Sequence, residues 1–280
     1  MIAALMAKGL FEPDEWRMHC FRNLSGTASA LHPSQSISLS RVFSFVNPKF
    51  YIDAGGVQMS YDYKRITLLS GHYGSGKTNI AVNMAFDMKK KSQNVTIADL
   101  DIVNPYFRTK DSQKELQDAG IKLICSEYAN TNVDIPALPQ DMYSVIDDKS
   151  QMAVIDIGGD DRGALALGRY SGGIVEENDY DMLLVINCYR PLTRDAKNTL
   201  EVMHEIENAG KIKFTGIVNN SNLGEETTAE DVLNSLKYAS KISEITGLPI
   251  VETCVKEDLF DELSGKIENL FALKLQKKII

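Results

Sequence analysis

From Arg65 onward, short runs of apolar and β-branched residues alternate with longer stretches whose apolar positions recur every three or four residues. The short runs predict strands at Ile66–Ser70, Val95–Leu100, Ile121–Cys125, Met152–Ile157, Met182–Asn187, Phe214–Asn219 and Ile250–Cys254. The longer ones predict helices near 78–90, 111–119, 193–209, 228–245 and 257–277. Strand runs that are apolar without a polar face belong to a sheet covered on both sides, so the fold expected is α/β: a mostly parallel sheet flanked by helices, built from βαβ units. Ligands of such sheets gather at the carboxyl ends of the strands.

Residues 1–62 hold no such period and are Ser-rich in the middle, so the expected division is an appended segment, 1–62, and a nucleotide-binding domain, 63–280. Gly55-Gly56 can be encoded by GGAGGU, a ribosome-binding sequence, with Val57-Gln58 as spacer before Met59. Met59 is therefore read as the initiator and residues 1–58 as translated leader, with a genuine N-terminal arm as the alternative.

The chemistry concentrates after the first strand. Gly71-His72-Tyr73-Gly74-Ser75-Gly76-Lys77-Thr78 fits G-x-x-x-x-G-K-[ST], and the helix expected next begins with Thr78-Asn79. Glycines let the backbone curl so that N–H groups face a phosphate, and the helix start adds partial positive charge. Lys77 is expected on the β- and γ-phosphates and Thr78 on Mg²⁺, a hard cation that takes oxygen ligands. The whole loop, Gly71 to Asn79, is the expected phosphate cradle.

Two acidic strand ends flank it. Asp99-Leu100-Asp101 closes the second strand; Asp101 is read as orienting an attacking water, while Asp99 is as well explained by turn capping. Arg108, further on, suits a surface ion pair or a phosphate contact. Met152-Ala153-Val154-Ile155 runs into Asp156-Ile157-Gly158-Gly159, where Asp156 is placed to hold the Mg²⁺ shell and the Gly159 N–H to bond a γ-phosphate and report its presence. In the late strand, Asn222 stands where a guanine-specific site needs a carboxylate, and Asn219 offers an amide to an adenine edge. ATP is thus favoured over GTP.

These residues resemble the CobQ/CobB/MinD/ParA nucleotide-binding family of P-loop ATPases over roughly residues 63–255. GHYGSGKT with NIAVNMA is similar to its loop and first helix, DLD at 99–101 to its first switch and DIGG at 156–159 to its second. GHYGSGKT with LDIVNPYFR is most similar to a bacterial branch of ATP-binding proteins. The resemblance implies a slow Mg²⁺-dependent ATPase acting as a switch, read by a protein partner, and a homodimer closed across the nucleotide. MinD and ParA proteins place a lysine after the first loop glycine to reach the partner's phosphates; here that residue is His72. A neutral imidazole brings no obligatory charge, although a cationic one can contact phosphate. The alternative function is a biosynthetic ATP-dependent ligase of the dethiobiotin synthetase or cobyrinic acid diamide synthase type, which shares the fold without that lysine.

Composition narrows the partners. Acidic residues outnumber basic ones, 38 to 30, so nucleic acid is not expected. No apolar run approaches the ~20 residues that span a bilayer, so a cytoplasmic protein is expected and a membrane is not. Cys20, Cys125, Cys188 and Cys254 lack any C-x-x-C spacing and read as reduced thiols. The tail, with Leu259, Leu263, Ile267, Leu270, Phe271 and three lysines, Lys274, Lys277 and Lys278, reads as a last amphipathic helix packed on the sheet, with lipid contact as the alternative.

Overall fold

A computed structural model describes residues 50–52, 59–101, 112–125, 141–159 and 161–275. The Met59 reading therefore concerns residues that lie mostly outside the described ones, as do Arg108 and Cys20. Two short strands come first, β1 (Phe50–Ile52) and β2 (Met59–Tyr61), paired antiparallel. The α/β pattern then runs β3 (Ile66–Ser70), α1 (Lys77–Lys91), β4 (Val95–Leu100), α2 (Gln113–Asp118), β5 (Lys122–Ile124), α3 (Met142–Asp147) and β6 (Met152–Ile157). It continues through α4 (Asp161–Gly168), α5 (Ser171–Glu177), β7 (Tyr180–Ile186), α6 (Ala196–Gly210), β8 (Gly216–Asn219), α7 (Ala229–Thr246), β9 (Ile250–Lys256), α8 (Glu257–Leu263) and β10 (Leu270–Leu273).

Strands β3 to β10 form one sheet in the order β10-β9-β8-β7-β3-β6-β4-β5, every pair parallel. Strand β3 is buried at all five positions, as a central strand covered on both faces must be. One face packs Ile66, Leu68, Ile155 and Leu184 against Ala164 and Leu167 of α4 and Met203 and Ile206 of α6. The other packs Leu69, Ile97, Val154 and Leu183 against Ile80, Met84 and Met88 of α1. The order of strand addition switches sides at β3, with β4 and β6 on one side and β7 on the other. The crevice at the carboxyl end of β3 is therefore where a ligand is expected.

The core begins before residue 63. Tyr61 is buried and donates its hydroxyl to Asp181 Oδ2 at 2.8 Å, and Tyr63 donates to Glu252 Oε1 at 3.0 Å. A larger correction concerns the tail. The single helix expected over 257–277 ends at Leu263, Gly265 follows with φ of 80°, and Leu270–Leu273 becomes an edge strand parallel to β9. Leu259, Leu263, Ile267 and Leu270 still face a common core with α7, because one apolar set was divided between a helix and a strand. The lipid-binding helix is thereby removed. Three short helices, α3, α4 and α5, appear where none was expected. Cys254 is buried, while Cys125 and Cys188 are partly exposed. Among the described residues no helix is long and apolar enough to cross a membrane.

Candidate nucleotide site

The loop between β3 and α1 is shaped by three glycines that adopt φ of 149° (Gly71), 75° (Gly74) and 90° (Gly76), conformations that side chains oppose. A Cβ on Gly71 would lie 2.3 Å from the Val185 carbonyl oxygen, so the loop lies close against β7. Its carbonyls accept hydrogen bonds from three side chains. Lys77 Nζ donates to the Gly71 and His72 carbonyls at 3.0 and 3.3 Å, Arg190 Nε to that of Gly74 at 2.8 Å, and Asn220 Nδ2 to that of Ser75 at 2.7 Å. The first turn of α1, whose N–H groups have no earlier helical carbonyl to bond, opens beside this loop.

At the head of α1, Thr78 Oγ1 donates to Asp156 Oδ2 at 2.6 Å. Asp156 is fully buried, and its second oxygen, Oδ1, has no hydrogen-bond partner. Burial pushes its pKa well above the usual carboxylate range, Asp99 adds to the rise, and Lys77 and the Thr78 bond oppose it. Asp99 and Asp156 are register partners on adjacent strands, which sets the two carboxylates side by side. Asp99 is nearly buried and accepts the Asp101 backbone N–H on Oδ1 at 2.9 Å, so its turn-forming role is real. Asp101 is more exposed, and its Oδ1 lies 3.3 Å from where a Cβ on Gly158 would sit. Gly159 packs directly on the phosphate loop: a Cβ there would meet the Tyr73 nitrogen at 2.5 Å and the Gly71 carbonyl oxygen at 2.9 Å.

Thus Lys77, Thr78, Asp99, Asp101, Asp156 and Gly159 converge on one end of the sheet. His72 is half-buried with Nδ1 against the Tyr73 carbonyl at 2.8 Å, and Tyr73 is 49% exposed. Ser75 is buried with its hydroxyl unpartnered, and Asn79 lies a turn into α1, its carbonyl accepting from Asn83 at 2.8 Å. Asn219 departs from its expected task. It is fully buried, donates to Ser235 Oγ at 2.9 Å and accepts from the Ser221 hydroxyl at 2.8 Å, so its amide is already engaged inside the fold. Two contributors were missed in the sequence, Asn220 and Arg190. Asn220 sits beside the chosen asparagine, and Arg190 precedes Pro191 just past a strand end.

The donor set fits a nucleotide with Mg²⁺. An unpartnered buried carboxylate oxygen beside a hydroxyl suits a hard cation with its water shell, and a cation offsets the burial and the Asp99 charge that raise the Asp156 pKa. The glycine-lined loop suits phosphate oxygens.

The chain matches the model of the CobQ/CobB/MinD/ParA nucleotide binding domain over residues 66–259. No curated protein sequence matches it. Among solved structures, chloroplast FtsY of Physcomitrella patens is 16% identical with a TM-score of 0.47, over 76% of this chain and 65% of that one. FtsY of Mycoplasma mycoides is 19% identical with a TM-score of 0.43, over 69% and 63%. The signal recognition particle 54 kDa protein of Aeropyrum pernix, in complex with GDP, is 16% identical with a TM-score of 0.44, over 72% and 42%. This chain spans under two thirds of the length of each. The phosphate loop after β3, the threonine–aspartate pair at its head and the match over most of the chain agree: the protein is a P-loop nucleotide-binding protein of the CobQ/CobB/MinD/ParA family.

Proposed function

We propose that the protein is a switch that binds ATP with Mg²⁺ and hydrolyses it slowly, its conformation read by a protein partner. The observation that carries this reading is Gly159 in direct contact with the phosphate loop, two residues beyond the end of β6 and two before α4. A change at the loop must move the Gly158-Gly159 turn, and with it α4, so the site is mechanically joined to a surface helix.

Each group has a definable task. Lys77 exchanges the Gly71 and His72 carbonyls for phosphate oxygens. Thr78 and Asp156 would hold the cation, which would supply charge neutralisation to the phosphates. Asp101, the more exposed carboxylate, accepts a hydrogen bond from the attacking water and so orients it. The preference for ATP rests on Asn222, which stands where a guanine site needs an anion; its own amide bonds the Asn220 carbonyl and the Gly224 N–H. A homodimer across the site is the assembly this family membership suggests.

Calorimetric titration with ATP and with GTP, each with Mg²⁺, followed by turnover with no other small molecule, tests the reading. ATP is expected to bind tighter and to be hydrolysed slowly. Preference for GTP overturns the base assignment, and turnover that waits for a carboxylate substrate favours the ligase that His72 leaves open.

A further inference from the structure

The segment after β7 is built to hold one side chain. Asn187 is fully buried; its carbonyl accepts the Arg190 N–H at 3.2 Å and the Thr193 hydroxyl at 2.8 Å, and its Oδ1 accepts the Tyr189 N–H at 2.9 Å. The Cys188 N–H donates to Ser221 Oγ at 3.1 Å, and Pro191 opens a single 3₁₀ turn over Pro191–Thr193. A turn fixed at this many points gives the intervening Arg190 a defined origin although the residue itself is exposed.

Arg190 lies on the phosphate loop. Nε donates to the Gly74 carbonyl, and a Cβ placed on Gly74 would be 3.6 Å from Nε and 3.8 Å from Cζ. Among the described residues no carboxylate pairs with it, and only Nε of its guanidinium is engaged. Lys77 is the cation already placed on the loop, and a nucleotide brings several negative charges to it. The loop residue His72 brings no obligatory cation. A guanidinium anchored through Nε keeps two Nη groups for a bidentate contact to phosphate oxygens.

We propose that Arg190 is a second cationic ligand of the nucleotide's phosphates, supplied by this chain itself and held on the loop through the Gly74 carbonyl. The inference rests on nucleotide binding at the loop. It is tested by titrating ATP with Mg²⁺ into the full chain and into its R190Q and R190K variants, with melting of each unliganded protein alongside. R190Q is expected to bind ATP about tenfold more weakly or worse, and R190K to recover part of that loss because it restores the charge. Unliganded melting should not change. Wild-type affinity in R190Q, or R190K no better than R190Q, overturns the inference and leaves Arg190 as a clamp on the loop. A wild-type protein that binds neither ATP nor GTP fails earlier, and takes the nucleotide reading down with it.

Discussion

Lys77 folds its ammonium onto two carbonyls of its own loop, so phosphate binding there is an exchange of acceptors. Lys77→Ala removes a charge-assisted bond worth roughly 1.5–3 kcal/mol, and ATP affinity by calorimetry is expected to fall at least tenfold with the fold intact. Unchanged affinity would contradict the phosphate-loop assignment. The two carboxylates should separate in kinetics. Asp101→Asn is expected to lower kcat sharply with ATP affinity near wild type, since a water-orienting group acts chiefly in the transition state. Asp156→Asn should act on metal first, so its defect should lessen as Mg²⁺ is raised; rescue of Asp101→Asn instead would reverse the roles. At this scale the sequence was readable where the chemistry is local. Gly71 to Thr78 and the strand-end aspartates announce themselves within a few residues. Asn220 and Arg190 do not, because they meet the loop across 145 and 116 residues. Asn219 is held by Ser235 of α7 while the adjacent Asn220 reaches the loop, a division that alternation along a strand cannot reveal.

Among the elements, the tail shows why periodicity failed. Apolar residues at 259, 263, 267 and 270 satisfy a helical repeat, and a four-residue strand is too short to assert a period of two. Gly265 was the available stop signal. At the near end of β9, Glu252 is buried between strands, accepts the Tyr63 hydroxyl on Oε1 and leaves Oε2 without a partner. Burial pushes its pKa up to about 8, against the opposing Tyr63 bond. The folded protein therefore keeps this proton to about pH 8, while the unfolded chain releases it near the ordinary 4.5. Stability from this group is full below about pH 4.5 and is lost towards pH 8, at up to ~1.4 kcal/mol per pH unit. Denaturant unfolding at pH 5 and pH 8 should show a smaller difference for Glu252→Gln than for wild type; equal differences would mean the carboxyl is ionised when folded.

For the molecule as a whole, we propose that the α/β domain is self-sufficient from Met59. Truncation there keeps Tyr61 on Asp181 and Tyr63 on Glu252, so melting temperature and nucleotide binding are expected to stay as in the full chain. A large drop in melting temperature would mean that the preceding residues pack on the domain. Fold class was legible because the strands of a doubly covered sheet are nearly unbroken apolar runs. The strand order was not, since nothing local states that β3 lies between β6 and β7.

That central position has a consequence during synthesis. Ile66 pairs with Ala153 and with Tyr180, partners that leave the ribosome about 90 and 115 residues later. At roughly 5–20 residues per second, the strand that carries the phosphate loop waits on the order of 6 to 23 s for both neighbours. Until β7 emerges, the apolar face of β3 has only earlier strands and helices to cover it. Nascent chains arrested before Tyr180 should therefore be cut readily by protease around residues 66–70, and chains extended past Ile186 and clear of the exit tunnel should resist.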